Sequence, residues 1–152
     1  MKALVVYDSM YGNTEEIAKA IGGAITGEVK VIRVSEANPS ELESIDLLIV
    51  GSPTHGGRAT PAIQDFLNKV PETTVKGTKI AAFDTRFSGI KGTLVGIFGY
   101  AAGRIADSLK RKGGTLVVSP KGFLVNGTKG PLGEGELERA TSWAKGIVAS
   151  KK

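Results

Sequence analysis

The sequence predicts a three-layer α/β/α sandwich built on a five-stranded parallel sheet of order 2-1-3-4-5. Three observations predict it: short, continuously apolar, β-branched runs recur along the chain, segments of helical spacing separate them, and 152 residues is one ordinary domain's worth. Strands that are apolar throughout suit a parallel sheet covered on both faces, and right-handed crossovers leave few strand orders. Ligands of such sheets bind at the carboxyl ends of the strands, near the reversal of strand order. The exits of the first, third and fourth strands are therefore expected to form the site.

Lys2 to Tyr7 (KALVVY) reads as the first buried strand. Ile17, Ile21 and Ile25 then recur at four-residue spacing with Ala18 and Ala24 beside them, as on one helix face. Val29 to Val34 reads as a strand, Pro39 to Glu43 as a short helix, Asp46 to Gly51 (DLLIVG) as a strand and Ala62 to Val70 as a helix. Thr78 to Asp84 is the fourth strand, Tyr100 to Lys112 a helix, Thr115 to Ser119 the fifth strand and Glu134 to Val148 the last helix. Glycine-rich stretches at 88–99 and 127–135 read as loops. Trp143 shares helical spacing with Leu137, Ala140 and Ile147 and is expected in the core. With no internal repeat or linker, residues 1–152 are expected to form a single domain.

Hydrophobic residues make up 41% and charged residues 23%, the balance of a globular chain, so neither disorder nor a membrane class is indicated. No apolar run approaches the roughly 20 residues that cross a bilayer, and the chain enters its first strand directly after Met1; the expected location is the cytoplasm. Cysteine is absent, which rules out disulfides, a thiolate nucleophile and cysteine-held clusters, and a single histidine speaks against an imidazole metal site. Redox chemistry must then come from a bound organic cofactor. Twenty Lys and Arg against 15 Asp and Glu give a net charge of +5, which suits an acidic partner or an anionic ligand. The basic residues are scattered, with short clusters only at Lys110-Arg111-Lys112 and Lys151-Lys152 and no interleaved aromatics, so nucleic acid is disfavoured.

After the first strand comes Asp8-Ser9-Met10-Tyr11-Gly12-Asn13-Thr14, and the helix follows at once. Hydroxyls at Ser9 and Thr14, the Asn13 amide and backbone N–H groups at a helix start can together satisfy the oxygens of a phosphate, aided by the helix dipole. The alternative is that Asn13 or Thr14 caps the helix while Gly12 makes the turn. The loop is neither a Gly-Lys-Ser/Thr P-loop nor Gly-x-Gly-x-x-Gly. The third strand runs out into Gly51-Ser52-Pro53-Thr54-His55-Gly56-Gly57-Arg58, and the fourth into Asp84-Thr85-Arg86-Phe87-Ser88-Gly89.

Here the chain resembles the flavodoxin family. That family carries a hydroxyl-rich Thr/Ser-x-Thr/Ser-Gly-x-Thr loop after its first strand, and Ser9-Met10-Tyr11-Gly12-Asn13-Thr14 departs from it only at Tyr11, where a small hydroxyl residue is usual. In that position the loop is similar to the quinone-reductase and flavodiiron-type branches of the superfamily. The Gly-Ser-Pro-Thr turn resembles the loop that passes one side of the isoalloxazine ring. The resemblance implies FMN as cofactor, with its phosphate on residues Ser9 to Thr14. It places Pro53, Thr54 and His55 beside the ring, and gives Gly56-Gly57 a backbone carbonyl that can turn toward the flavin N5 when that atom is protonated. Asp84, Thr85, Arg86, Phe87 and Gly89 fall in the third flavin loop, with Phe87 in place of the usual Tyr and Tyr100 as the alternative stacking residue. Arg58 and Arg86 would set positive charge near the ring, in contrast to acidic flavodoxins.

The function implied is an FMN-binding electron carrier that serves redox partner proteins, here with acidic docking surfaces, and needs no acid–base residue of its own. An FMN-dependent NAD(P)H:quinone-type reductase and a flavin-free interaction module on the same fold are the alternatives. A receiver-type signalling domain is disfavoured by Gly51-Ser52 where it would need a phosphorylatable Asp.

Overall fold

A computed structural model gives the structure of residues 2–87, 100–127 and 129–149. Strand β1 (Lys2–Tyr7) is followed by α1 (Asn13–Ala24), β2 (Glu28–Arg33), two 3₁₀ turns (Val34–Glu36 and Pro39–Leu42) and β3 (Leu47–Pro53). Helix α2 (Pro61–Lys69), the one-turn α3 (Glu72–Val75), β4 (Lys79–Phe87) and α4 (Ala101–Arg111) come next. Two short strands, β5 (Thr115–Leu116) and β6 (Lys121–Val125), and α5 (Glu136–Ala149) complete the described elements. The sheet is parallel and runs β2-β1-β3-β4-β5, with β6 also on β4, so the expected 2-1-3-4-5 order is found.

The two-residue period of a strand explains why the strand runs are apolar throughout. Leu4, Val6, Leu48, Val50, Ile80 and Ala82 point to one face, where Ile63 and Leu67 of α2 and Ile105 and Leu109 of α4 cover them. Their odd-numbered neighbours, Ala3, Val5, Tyr7, Leu47, Ile49, Ala81 and Phe83, point to the other, against Ile17 and Ile21 of α1 and Ala140, Ala144 and Ile147 of α5. Each fully buried Leu or Ile contributes about 1.5–3 kcal/mol. Trp143 joins the second face as expected, in mutual edge-on contact with Phe83 and Phe123 at 6.1 Å between centroids.

The fifth strand differs from the sequence expectation. Thr115 to Ser119 is not one strand: pairing with β4 stops after Ile80↔Leu116 and resumes at Phe83↔Lys121. Four residues, 117–120, thus span the two positions of Ala81 and Ala82, a two-residue bulge. Pro120 has no N–H to give to the ladder, which accounts for the break. Beyond it, β6 continues along β4 to Phe87↔Val125 and so reaches the carboxyl end where a ligand would bind.

Side chains complete the helix ends. The Thr60 hydroxyl accepts from the Ile63 N–H at 3.4 Å, with Pro61 opening α2. At the other end of α2, Lys112 Nζ donates to the carbonyls of Leu67 and Val70, so one lysine of the basic cluster is a helix C-cap.

Candidate cofactor site

The loop from β1 to α1 is closed by Gly12, whose φ of +93° is a conformation that L side chains rarely adopt and whose N–H donates to Ser9 Oγ at 3.0 Å. No side chain caps α1. Its first ladder bond runs from Glu16 N–H to Gly12 O at 3.0 Å, which leaves the amides of Asn13, Thr14 and Glu15 without an acceptor in the helix. Asn13 and Thr14 are buried, so these donors and the positive end of the helix dipole sit away from bulk water. The capping alternative is therefore not what the loop adopts. The Asn13 side chain instead donates to Lys129 O at 3.2 Å, and Thr14 Oγ1 shares a 2.8 Å hydrogen bond with Thr85 Oγ1. When Thr85 donates in that pair, the Thr14 proton is left for a ligand oxygen.

The carboxylates beside the loop are matched by cations. Arg33 lies 3.7 Å from Asp8 and 3.3 Å from Glu15, and also donates to Ser9 O at 2.9 Å. Lys19 hydrogen-bonds Glu15 at 2.9 Å and holds that carboxyl below its usual range, while burial pushes the nearby Tyr7 hydroxyl up.

Three strand ends are tied together by short polar links. Thr60 Oγ1 donates to Asp8 Oδ2 at 2.6 Å, Thr60 N–H to Ser52 Oγ at 3.0 Å, and Thr54 N–H to Thr85 O at 2.9 Å. From Thr54 the chain enters a two-residue hairpin in which His55 and Arg58 exchange backbone hydrogen bonds of 2.8 and 3.0 Å. Gly56 and Gly57 have φ of +57° and +79°, the positive values that a type I′ turn needs at both central positions. The paired glycines thus have a conformational reason in the turn itself. The Gly57 carbonyl accepts from Arg104 Nε at 2.8 Å.

These links surround a cleft of about 230 Å³ at the carboxyl end of the sheet. Of the residues expected there, it gathers Ser9, Met10, Tyr11, Asn13, Thr14, Pro53, Thr54, His55, Thr85, Arg86 and Phe87. Gly12 makes the turn of the loop without lining the cleft, and Gly56 and Gly57 form the hairpin tip and do not line it either. Gly89 lies outside the described residues.

Asp84 does not reach the cleft, and its expected place among the cofactor ligands gives way to a structural one. It is wholly buried and accepts from Arg86 Nε at 2.8 Å, Arg86 Nη2 at 2.7 Å and the Ala102 N–H at 2.9 Å. Tyr100 is likewise taken up, its ring 3.2 Å from the Arg86 guanidinium carbon. Val125 and Gly127 line the cleft without having been expected. Both follow from β6, which the turn-like Ser119-Pro120 pair and Gly122 hide in the sequence.

The donor set fits a phosphorylated, aromatic ligand. Three helix amides and the Thr14 hydroxyl meet the needs of phosphate oxygens at one end. Exposed Met10, Tyr11 and Phe87 supply apolar surface at the rim, and no carboxylate lines the cleft among the described residues. With Phe87 in the wall and Tyr100 held on Arg86, Phe87→Ala should weaken flavin affinity and change flavin fluorescence more than Tyr100→Ala, as read by fluorescence titration; the reverse ranking would put the ring elsewhere.

A parallel sheet whose strand ends enclose such a cleft defines the class of α/β proteins that bind a mononucleotide at the reversal of strand order. The flavodoxin family model matches residues 5–143, and the chain belongs to that family. Its proteins bind FMN and transfer electrons, and membership makes FMN the cofactor of this chain. Over 86 residues it is 33% identical to the "Probable flavodoxin 1" of Bacillus subtilis, a match that covers 54% of each chain. The chain thus spans about half the length of that curated relative. A flavodoxin structure from the domain Archaea superposes with a TM-score of 0.80 at 25% identity, covering 100% of both chains. The same fold recurs in a flavodiiron core from Synechocystis, with a TM-score of 0.71 at 20% identity over 99% of this chain and 36% of that one.

Proposed function

We propose that this chain is an electron carrier that holds the FMN phosphate on residues 9–14 and the ring between the 53–55 and 85–87 loops. The observation that carries the reading is the buried, uncapped N-terminus of α1, with three amides free of any helical acceptor, at one end of the cleft. When bound, FMN accepts and releases the electrons. The protein's part is to bind, orient and shield: the α1 amides and Thr14 hold the anionic group, Thr54 and Thr85 tie two cleft walls to each other, and Phe87 covers apolar ring surface.

A carrier, as distinct from a reductase with its own substrate, is favoured by the exposed Met10, Tyr11 and Phe87 around the opening, which offer a protein face something apolar to meet. The net charge of +5 favours acidic partner surfaces. Flavodoxins are typically cytoplasmic, and the reading extends that location to this chain.

The test is a comparison of ligands. FMN should bind much more tightly than riboflavin, because only FMN satisfies the α1 amides. Thr14→Val should weaken FMN about tenfold to a hundredfold, the range for a hydrogen bond to a charged group, and leave riboflavin nearly unchanged. Equal affinities for the two ligands in the wild type would remove the phosphate from this loop.

A further inference from the structure

We propose that Lys129, in the turn between β6 and α5, brings a cation to the FMN phosphate and so adds to the preference of the chain for FMN over riboflavin. This inference rests on the reading that seats the phosphate on residues 9–14.

The turn after β6 is fitted to the start of α1. Asn13 Nδ2 donates to Lys129 O at 3.2 Å. Beside it Gly130 has a φ of +100°, and a Cβ there would lie 2.6 Å from Asn13 Oδ1 and 2.7 Å from Asn13 Nδ2, so a side chain would force the two segments apart. Gly130 N–H donates to Gly127 O at 3.1 Å and Asn126 N–H to Pro131 O at 2.9 Å, which closes the turn on itself, and Gly127 lines the cofactor cleft. The Lys129 backbone is thereby held against the first residue of α1, whose amide has no acceptor in the helix.

The exposed Lys129 side chain lies toward the same loop. Its Nζ is 5.9 Å from the centre of the Tyr11 ring, and Tyr11 lines the cleft. Among the described residues Lys129 has no carboxylate partner, and the carboxylates next to the loop are engaged elsewhere, Asp8 and Glu15 by Arg33 and Glu15 also by Lys19. Arg86 in the cleft wall is committed to Asp84. A cation–π contact near 6 Å at an exposed site is weak, so Lys129 gives up little when a stronger anion arrives.

A phosphate monoester carries about −1.5 to −2 charges near neutral pH, whereas a helix N-terminus offers the equivalent of about +0.5. The α1 amides alone therefore leave most of the ligand charge unmatched. A lysine on a flexible stem meets such a group as a point charge, without the fixed approach that a guanidinium needs. Tyr11 then has a use at the position where a small hydroxyl is usual: its ring keeps the ammonium beside the loop.

The full chain, freed of flavin, is titrated with FMN and with riboflavin by flavin fluorescence at about 0.01 M and about 1 M salt, where the screening length is about 30 and 3 Å. At the lower salt Lys129→Gln should weaken FMN about threefold to tenfold and leave riboflavin within about 1.5-fold. At the higher salt the FMN difference should shrink below about twofold. Lys129→Arg should restore most of the lost affinity, since it keeps the charge. Lys145→Gln, an equal loss of charge on exposed α5, should weaken FMN by less than about 1.5-fold at either salt.

An equal loss of FMN and riboflavin would make Lys129 a structural residue of the turn, and a loss matched by Lys145→Gln would make the effect one of net charge; either overturns the inference. So would an FMN affinity unchanged in Lys129→Gln. In each of these cases a wild type that prefers FMN still keeps the phosphate on residues 9–14. A wild type that binds both flavins equally sinks that reading itself, so the two failures are separable.

Discussion

Arg86→Ala is expected to cost about 3–5 kcal/mol of folding stability, the range for removing one partner of a buried ion pair. Asp84 is wholly buried, and among the described residues Arg86 donates to both of its oxygens, at 2.8 and 2.7 Å, and the Ala102 amide to one of them at 2.9 Å. Without the guanidinium, Asp84 Oδ1 has no donor among the described residues, and the carboxylate stays buried with the Ala102 N–H. Tyr100 loses the cation against its ring. For a chain of this length, about 3–5 kcal/mol corresponds to a fall in Tm of roughly 6–20 °C. Arg86→Lys should fall between, because an ammonium keeps the charge but not the two-pronged fit or the stacking. Asp84→Asn combined with Arg86→Ala should recover part of the loss, since the stranded charge is then gone. If Arg86→Ala unfolds within 1 °C of the wild type, the pair is worth no more than a surface ion pair.

The same geometry changes what Arg86 can do for the cofactor. The sequence places two arginines near the ring as positive charges that would favour the reduced, anionic flavin. In the structure the Arg86 charge is neutralised by Asp84 within 3 Å, and Arg58 lines a groove with Gln64 and Leu67 of α2 and Ile105 of α4 instead of the cofactor cleft.

What the sequence discloses and what it conceals follow from range. The sheet order was legible because each strand is apolar on both faces and each helix carries one apolar stripe, signals contained within single segments. The loop from β1 to α1 could be singled out because Ser9 to Thr14 is contiguous. Asp84 was misread because its partners, Arg86 aside, come from α4, and nothing in the local sequence distinguishes a carboxylate buried under a helix from one facing a ligand. β6 was missed because Pro120 marks a stop in any local reading, although the ladder resumes one residue later. The role of Lys112 as a cap on α2 depends on residues 42 or more positions apart meeting where two helices end.

Gly51→Ala is expected to destabilise the fold by about 3 kcal/mol, at the upper end of the cost of overpacking a core. A Cβ at Gly51 would lie 2.0 Å from Phe83 Cζ and 2.4 Å from both neighbouring ring carbons, so the ring has to move. Phe83 cannot move alone, because Phe123 and Trp143 each pack edge-on against it at 6.1 Å. Phe83 is fully buried as well, which leaves no solvent side to retreat to. The consequence reaches the cofactor site through the backbone. The Gly51 carbonyl accepts the Asp8 N–H at 3.1 Å, and Asp8 in turn accepts from Ser9 N–H at 2.9 Å and from the Thr60 hydroxyl at 2.6 Å. A shift of β3 at Gly51 therefore displaces the start of the loop from β1 to α1. Denaturant unfolding followed by Trp143 fluorescence and FMN titration should report both effects, a lower midpoint and weaker FMN binding. Gly23→Ala makes the same chemical change on α1 with nothing within 4 Å of the new Cβ, and should instead be neutral or add up to about 1 kcal/mol of stability. Should Gly51→Ala prove as stable as the wild type, Phe83 is not locked over the glycine, and the aromatic cluster gives β3 more room than its packing implies.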